Sequence, residues 1–148
     1  MANISEASGT VKITAPTEQD AIEIVRIFNK GLNGDYYIRI SKDYEVLDNN
    51  NESCVISCSF KGLGRWSIVY NIEESCIWVK IFLNRRKMAK ETQYLENTSW
   101  EMIYDLKEYE PLQSFHGNGS NYRIVHEAGQ TLEASKYIKG EWENLPFQ

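Results

Sequence analysis

The sequence predicts an α+β domain built on one antiparallel sheet, and three observations carry that expectation. Apolar and polar residues alternate with period two in four stretches before residue 110, the pattern of strands with one buried face. Between the first two stretches, Ala21, Val25, Phe28 and Leu32 recur at helical spacing and form one apolar stripe. The chain has 148 residues, 42% hydrophobic and 25% charged, which suits a globular domain that needs no disulfide or structural metal to hold its core.

The first strand is read over Gly9 to Ala15, with Val11, Ile13 and Ala15 on one face and Lys12 and Thr14 on the other. Pro16 stops it. Thr17 then caps a helix with Glu18 and Asp20 in its first turn, where carboxylates oppose the positive end of the helix dipole. Gly31, Asn33 and Gly34 supply the stop. A second strand alternates Tyr36, Ile38 and Ile40 with Tyr37, Arg39 and Ser41. The run Asp48-Asn49-Asn50-Asn51 is a turn, because Asn readily enters the left-handed region. Cys54, Ile56, Cys58 and Phe60 then alternate with Val55, Ser57 and Ser59, and the short link makes the two strands an antiparallel hairpin. Gly62-Leu63-Gly64-Arg65-Trp66 is expected to end the third strand in a bulge or tight loop.

The next segment has two readings. Ile72, Cys76, Val79 and Leu83 fit one helical stripe, with Glu73 and Glu74 at its start and Arg85, Arg86 and Lys87 at its end. This favours a helix from about Asn71 to Lys90; the alternative makes residues 77–83 an extra buried strand. Trp100, Met102, Tyr104 and Leu106 alternate with Glu101, Ile103, Asp105 and Lys107 as a fourth, central strand closed by Pro111. After a glycine-rich loop, Tyr122–Glu127 and Thr131–Ile138 read as a terminal hairpin, and Trp142 and Phe147 either dock the end of the chain or leave it to fray.

The resulting order, strand, helix, strand, strand, helix, strand, is the ferredoxin-like βαββαβ unit with helices on one face, extended by a C-terminal β-hairpin. The expected organisation is a single domain over 1–148, with a core of about 9–110 and the hairpin at about 121–138.

The net charge is −5, from 21 acids and 16 bases, which repels phosphate backbones at long range and disfavours nucleic acid as a partner. Arg85, Arg86, Lys87 and Lys90 form a basic cluster, read as a helix C-terminus. No apolar run reaches the roughly 18 residues of a membrane span, and the start of the chain lacks a secretory pattern. Three cysteines, an odd number, argue for a reducing compartment and hence a cytoplasmic setting. Cys54 and Cys58 share a strand face about 13 Å apart, too far for a disulfide or a shared zinc, and are expected to be reduced core residues.

Two segments resemble the YubB-like ferredoxin-type proteins of phages, plasmids and bacterial genomes: Gly64-Arg65-Trp66-Ser67, and Glu108-Tyr109-Glu110-Pro111 leading into Phe115-His116-Gly117. The resemblance spans roughly residues 9 to 127 and departs where Leu112 stands in place of a glycine after Glu-Pro. It implies the fold and a cytoplasmic bacterial or phage setting, and it implies no activity or catalytic residue.

Two constellations bear on chemistry. Lys61-Gly62-Leu63-Gly64-Arg65-Trp66-Ser67-Ile68 has the outline of an RNA-recognition signature, but Leu63 and Arg65 stand where that motif stacks bases on aromatics. Trp66 is therefore expected to fold onto the core, with Arg65 exposed beside it. Asp105, Glu108, Glu110 and His116 could support acid–base work, although strand geometry sends Asp105 and Glu108 to opposite faces. His126 is read as a surface or packing residue. Nucleophile elbows, Walker loops and metal-ligand spacings are absent. Four tryptophans and nine tyrosines instead suit a binding surface. The sequence thus points to a non-catalytic interaction module with a protein partner, no cofactor, no metal and no membrane association. Its candidate binding residues are Tyr37, Arg39, Arg65, Trp66, Glu108, Glu110 and His116. The alternatives are a small enzyme or sensor using the acids near His116, and weak single-stranded nucleic-acid binding through Tyr37, Arg39, Arg65 and Trp66.

Overall fold

The computed structural model describes residues 4–31, 36–65, 67–73, 89–109, 119–128 and 133–145. Within them run β1 (Ile4–Ala15), α1 (Glu18–Gly31), β2 (Tyr36–Asn49), β3 (Cys54–Arg65), α2 (68–73), α3 (Ala89–Asn97), β4 (Glu101–Tyr109), β5 (Ser120–Glu127), β6 (Glu133–Ile138) and β7 (Glu141–Leu145). All seven strands join one sheet in the order β2-β3-β1-β4-β5-β6-β7, and every neighbouring pair is antiparallel.

This corrects the expected ferredoxin-like βαββαβ architecture. Strand accounts for 61% of the described residues, which are therefore mostly sheet, with described helix limited to α1, 68–73 and α3. The C-terminal hairpin extends the sheet at the edge beyond β4. Tyr122, Ile124 and Ala134 are buried, so the same apolar layer continues from β4 into β5 and β6 and carries the sheet outward. β7 then pairs with β6 through a two-residue turn in which Lys139 and Gly140 both have positive φ, 50° and 88°. Such a turn matches the twist of the flanking strands.

The core lies on one face of the sheet. Val11, Ile13, Ile38, Ile40, Cys54, Ile56, Cys58, Phe60, Met102, Tyr104 and Leu106 all point into it, as their alternation predicts. Phe60 and Tyr104 meet edge to face at 5.9 Å, a geometry that contributes about 0.5–1.5 kcal/mol beyond burial. β4 is the middle strand of the seven. β1 starts at Ile4 rather than Gly9, because Ser5 and Ala7 continue the buried face. β3 runs through Gly62 and Gly64 in unbroken register with β1, so the expected glycine bulge does not form.

α1 lies along β1, β2 and β3. Its stripe is wider than the sequence suggests, since Ile24 and Ile27 are buried beside Ala21, Val25 and Phe28. Thr17 caps it: its Oγ1 accepts from the Asp20 N–H at 3.1 Å and donates to Asp20 Oδ2 at 2.8 Å. Asn29 ties the helix to β2, its amide donating to the Ile40 carbonyl at 2.9 Å and accepting from the Ile40 N–H at 3.1 Å. The ladder slips just beyond, between Ile40 and Tyr44.

The helix expected from about Asn71 to Lys90 falls largely on 74–88, outside the described residues. Described helix covers 68–73 and Ala89–Asn97, the second running beyond the expected end at Lys90; Cys76, the 77–83 alternative and Arg85 to Lys87 lie outside the described residues. α3 docks on the start of α1, with the Tyr94 hydroxyl donating to Asp20 and Glu91 facing Arg26 at 3.9 Å. No helix among the described residues is long and apolar enough to cross a membrane.

Cys54 and Cys58 are free thiols buried on one face. Burial raises both thiol pKa values, that of Cys58 to about 11, so little thiolate exists at neutral pH. Thiol labelling of the native protein is expected to be slow, with all three cysteines reacting in denaturant. Rapid native labelling of Cys54 and Cys58 together would refute the face assignment.

Candidate functional site

The other face of the sheet exposes a different chemistry, and register brings together residues far apart in sequence. Tyr37, Leu63, Glu6 and Tyr109 stand side by side across β2, β3, β1 and β4. One pleat along, Arg39, Lys61, Ser8, Lys107 and Asn121 form a second row across β2, β3, β1, β4 and β5. The first row and the β2–β1 part of the second line an open trough of about 530 Å³. Tyr37 is 65% exposed and Leu63 48%, large apolar surface that folding leaves in water.

Two hydrogen bonds set the polar edges of the trough. Arg39 Nε donates to Tyr37 Oη at 2.8 Å, with the guanidinium 4.9 Å from the ring centroid. Tyr109 Oη donates to Glu6 Oε2 at 2.7 Å, and this bond to a carboxylate raises the Tyr109 pKa. Further along the same face, Arg123 donates to Asp105 Oδ1 at 2.9 Å and lies 4.5 Å from the Trp142 ring, which packs 5.3 Å from Tyr137. Trp142 thus docks through β7 and stays exposed.

Of the candidate residues named from sequence, Tyr37, Arg39, Arg65 and Glu108 lie among the described residues. Tyr37 and Arg39 line the trough. Arg65 is the last residue of β3, paired with Ile4. Glu108 points to the core side, opposite Asp105, as strand geometry requires. There its carboxylate accepts from the Ile68 N–H at 2.7 Å and from Ser5 Oγ at 3.3 Å, which places it at the start of α2 in a capping role. Trp66, Glu110 and His116 lie outside the described residues, and with them the acid–base constellation and the choice between core and surface for Trp66. Glu6, Lys61, Leu63, Lys107 and Tyr109 were missed as site residues. Each looks ordinary in its own strand, and only the register between strands gathers them.

At the far end of the open face, Glu101 and Glu127 face each other across β4 and β5. Beside them is a second open trough of about 390 Å³, lined also by Glu52, Ser53 and Trp100. Partial burial and the hydrogen bond and charge of Glu127 push the Glu101 carboxyl above its usual range. A carboxyl whose pKa is raised on folding contributes stability below its unfolded pKa and loses it as pH rises through the folded value. Glu101→Gln keeps a donor toward Glu127 at every pH. It is expected to stabilise the protein at pH 7 by about 0.5 kcal/mol, within the range of cross-strand pair energies. The gain should shrink toward pH 4; urea unfolding at the two pH values checks both, and a loss at pH 7 would contradict the pairing. Among the described residues no group of three His, Cys, Asp or Glu side chains is arranged to hold a metal ion.

No protein-family model matches the chain, and no match was found among curated proteins or among solved structures. The YubB-like resemblance therefore rests on its two sequence segments alone.

Proposed function

We propose that this chain is a non-catalytic interaction module that receives its partner on the open face of the sheet. The observation that carries this reading is the trough between Tyr37, Leu63, Glu6 and Tyr109, which leaves a tyrosine and a leucine exposed on a rigid four-strand platform. Rigid aromatic surface loses little side-chain entropy on binding, which is why such residues dominate binding energy at interfaces. The two free, buried thiols agree with a cytoplasmic setting for the module.

The test is direct. Purified protein is presented with acidic and basic peptides, single-stranded and duplex oligonucleotides, and anionic vesicles. Saturable binding of one class is expected, weakened at least tenfold by Tyr37→Ala with Leu63→Ser, and unchanged by Lys30→Ala on α1. Binding that ignores the open-face pair but is lost on changing α1 would move the site elsewhere. Metal- or nucleophile-dependent turnover in a substrate screen would favour the enzyme alternative and overturn the reading.

A further inference from the structure

We infer that the partner received on this face is a single-stranded nucleic acid, with its backbone on the Arg39–Lys61–Lys107 row and its bases over the Tyr37–Leu63–Glu6–Tyr109 row; this rests on the open face being the binding surface.

The first support is electrostatic. Arg39 and Lys61 are direct cross-strand partners, and Lys107 lies two strands further along the same row. Like charges directly opposite each other destabilise a sheet. Among the described residues none of these three cations has a carboxylate within ion-pairing distance. The rest of the row is Ser8 and Asn121, a hydroxyl and an amide able to donate to phosphate oxygens. The row spans about 14 Å from Arg39 to Lys107, at roughly 4.8 Å per strand. A chain of regularly spaced anions laid across the strands relieves the repulsion along the whole row.

The net charge of −5 is offset locally, because the two acids beside the row on this face are engaged, Glu6 accepting from Tyr109 and Asp105 from Arg123. Glu18, Asp20 and Glu23 sit on α1, which packs against the opposite face. Glu101 and Glu127 lie six residues along the strands from Lys107 and Asn121, about 20 Å away and beyond the roughly 8 Å screening length at physiological salt.

The second support separates nucleic acid from an acidic peptide, which would satisfy the cations equally well. The neighbouring row offers two tyrosines and a leucine, flat and apolar surface on which any base can stack. Between them stands Glu6. A carboxylate there repels an acidic peptide, yet it accepts hydrogen bonds from the amino groups of bases. Cations for a backbone beside aromatics plus one acceptor is the division of labour of a single-strand platform.

The experiment is fluorescence anisotropy with labelled single-stranded DNA and RNA 12-mers, a duplex of the same sequence and poly-glutamate, at 20–300 mM salt (about the range over which counterion release is read). Single strands are expected to bind best, with a slope of log K against log salt of about −2 for three phosphates. Arg39→Ala with Lys61→Ala should flatten the slope to about −0.7. Tyr37→Ala should weaken binding about tenfold and leave the slope unchanged. All three residues are exposed, so the variants are expected to fold, which their urea midpoints are to check. Equal or tighter binding of poly-glutamate, lost in the Arg39/Lys61 variant, would overturn the nucleic-acid assignment and leave the open-face reading standing. Equal binding of duplex, or an unchanged slope in the double variant, would overturn the assignment of bases and phosphates to these rows. No binding of any probe through the open face would remove both.

Discussion

Replacement of Gly9 by alanine is expected to cost at least about 2 kcal/mol of stability, more than an ordinary surface change in a strand. Gly9 lies where β1 passes between β3 and β4, paired with Phe60 on one side and Leu106 on the other. Its φ is 155°, and a Cβ built there would sit 2.0 Å from the Asp105 carbonyl oxygen and 3.0 Å from the Leu106 Cα. These are backbone atoms of the central strand, so no side chain can rotate away. Either β1 or β4 must back off, and the β1–β4 ladder loosens along with the Asp105–Arg123 pair beside it. Gly140→Ala is the comparison. Its φ of 88° is also unfavourable for alanine, but its Cβ would meet nothing nearer than the Tyr137 hydroxyl at 4.0 Å. That change is expected to cost only about 1 kcal/mol, the backbone term alone. Urea unfolding of both variants checks the pair; a Gly9→Ala loss no larger than that of Gly140→Ala would show that the close approach of β1 and β4 is not tight.

Gly9 also marks the limit of what the sequence could reveal. Strands that bury large side chains were legible: Val11 and Ile13, Cys54 to Phe60, and Trp100 to Leu106 all face the core as their alternation predicts. The start of β1 was not, because it fills its buried face with Ser5, Ala7 and Gly9, residues too small or polar to register as an apolar pattern. The Lys139-Gly140 turn was missed for a related reason, since lysine rarely adopts positive φ and gave no turn signal. Without β7, the sequence left open whether the end of the chain docks or frays, and the last hairpin was read as an extension at an edge. α3 was hidden because it is short and touches the core mainly through Tyr94 and Leu95, too few residues to set a period. The candidate site was half visible. Alternation alone sends Tyr37 and Arg39 outward. Their neighbours Glu6, Lys61 and Tyr109 come from three other strands, and no pattern local to one strand reports which residues end up opposite one another.

Among the described residues, His126 carries the largest pH effect expected. The sequence left it as a surface or packing residue, and the structure settles it as packing. It stands on β5 opposite Met102, with its ring 4.8 Å from Trp100 and 5.7 Å from Phe28, edge to face with both. Burial in this aromatic nest disfavours the charged imidazolium and lowers the His126 pKa from 6.5 to about 4. In the unfolded chain the imidazole titrates near its ordinary value, so between about pH 6.5 and pH 4 the unfolded state binds the extra proton. Stability is therefore complete above pH 6.5 and is lost as pH falls toward 4. The full effect is about 3 kcal/mol, of which about 2 kcal/mol falls between pH 7 and pH 5. Asp20 and Glu23, whose carboxyls are held low by Tyr94 and Arg26 respectively, add their own acid sensitivity, but only below the ordinary carboxylate range. Glu101 and Glu73, whose carboxyls are raised, act with the opposite sign as pH falls, so the histidine is read over the interval from pH 7 to pH 5 from the difference between the wild-type and His126→Phe profiles. His126→Phe keeps a ring against Trp100 and Phe28 and cannot be protonated. It is expected to flatten the stability profile over that interval, whatever repacking does to its level at pH 8. Denaturant unfolding of both proteins at half-unit steps of pH reads the slope, and a wild-type slope that survives in His126→Phe would place the proton on another group.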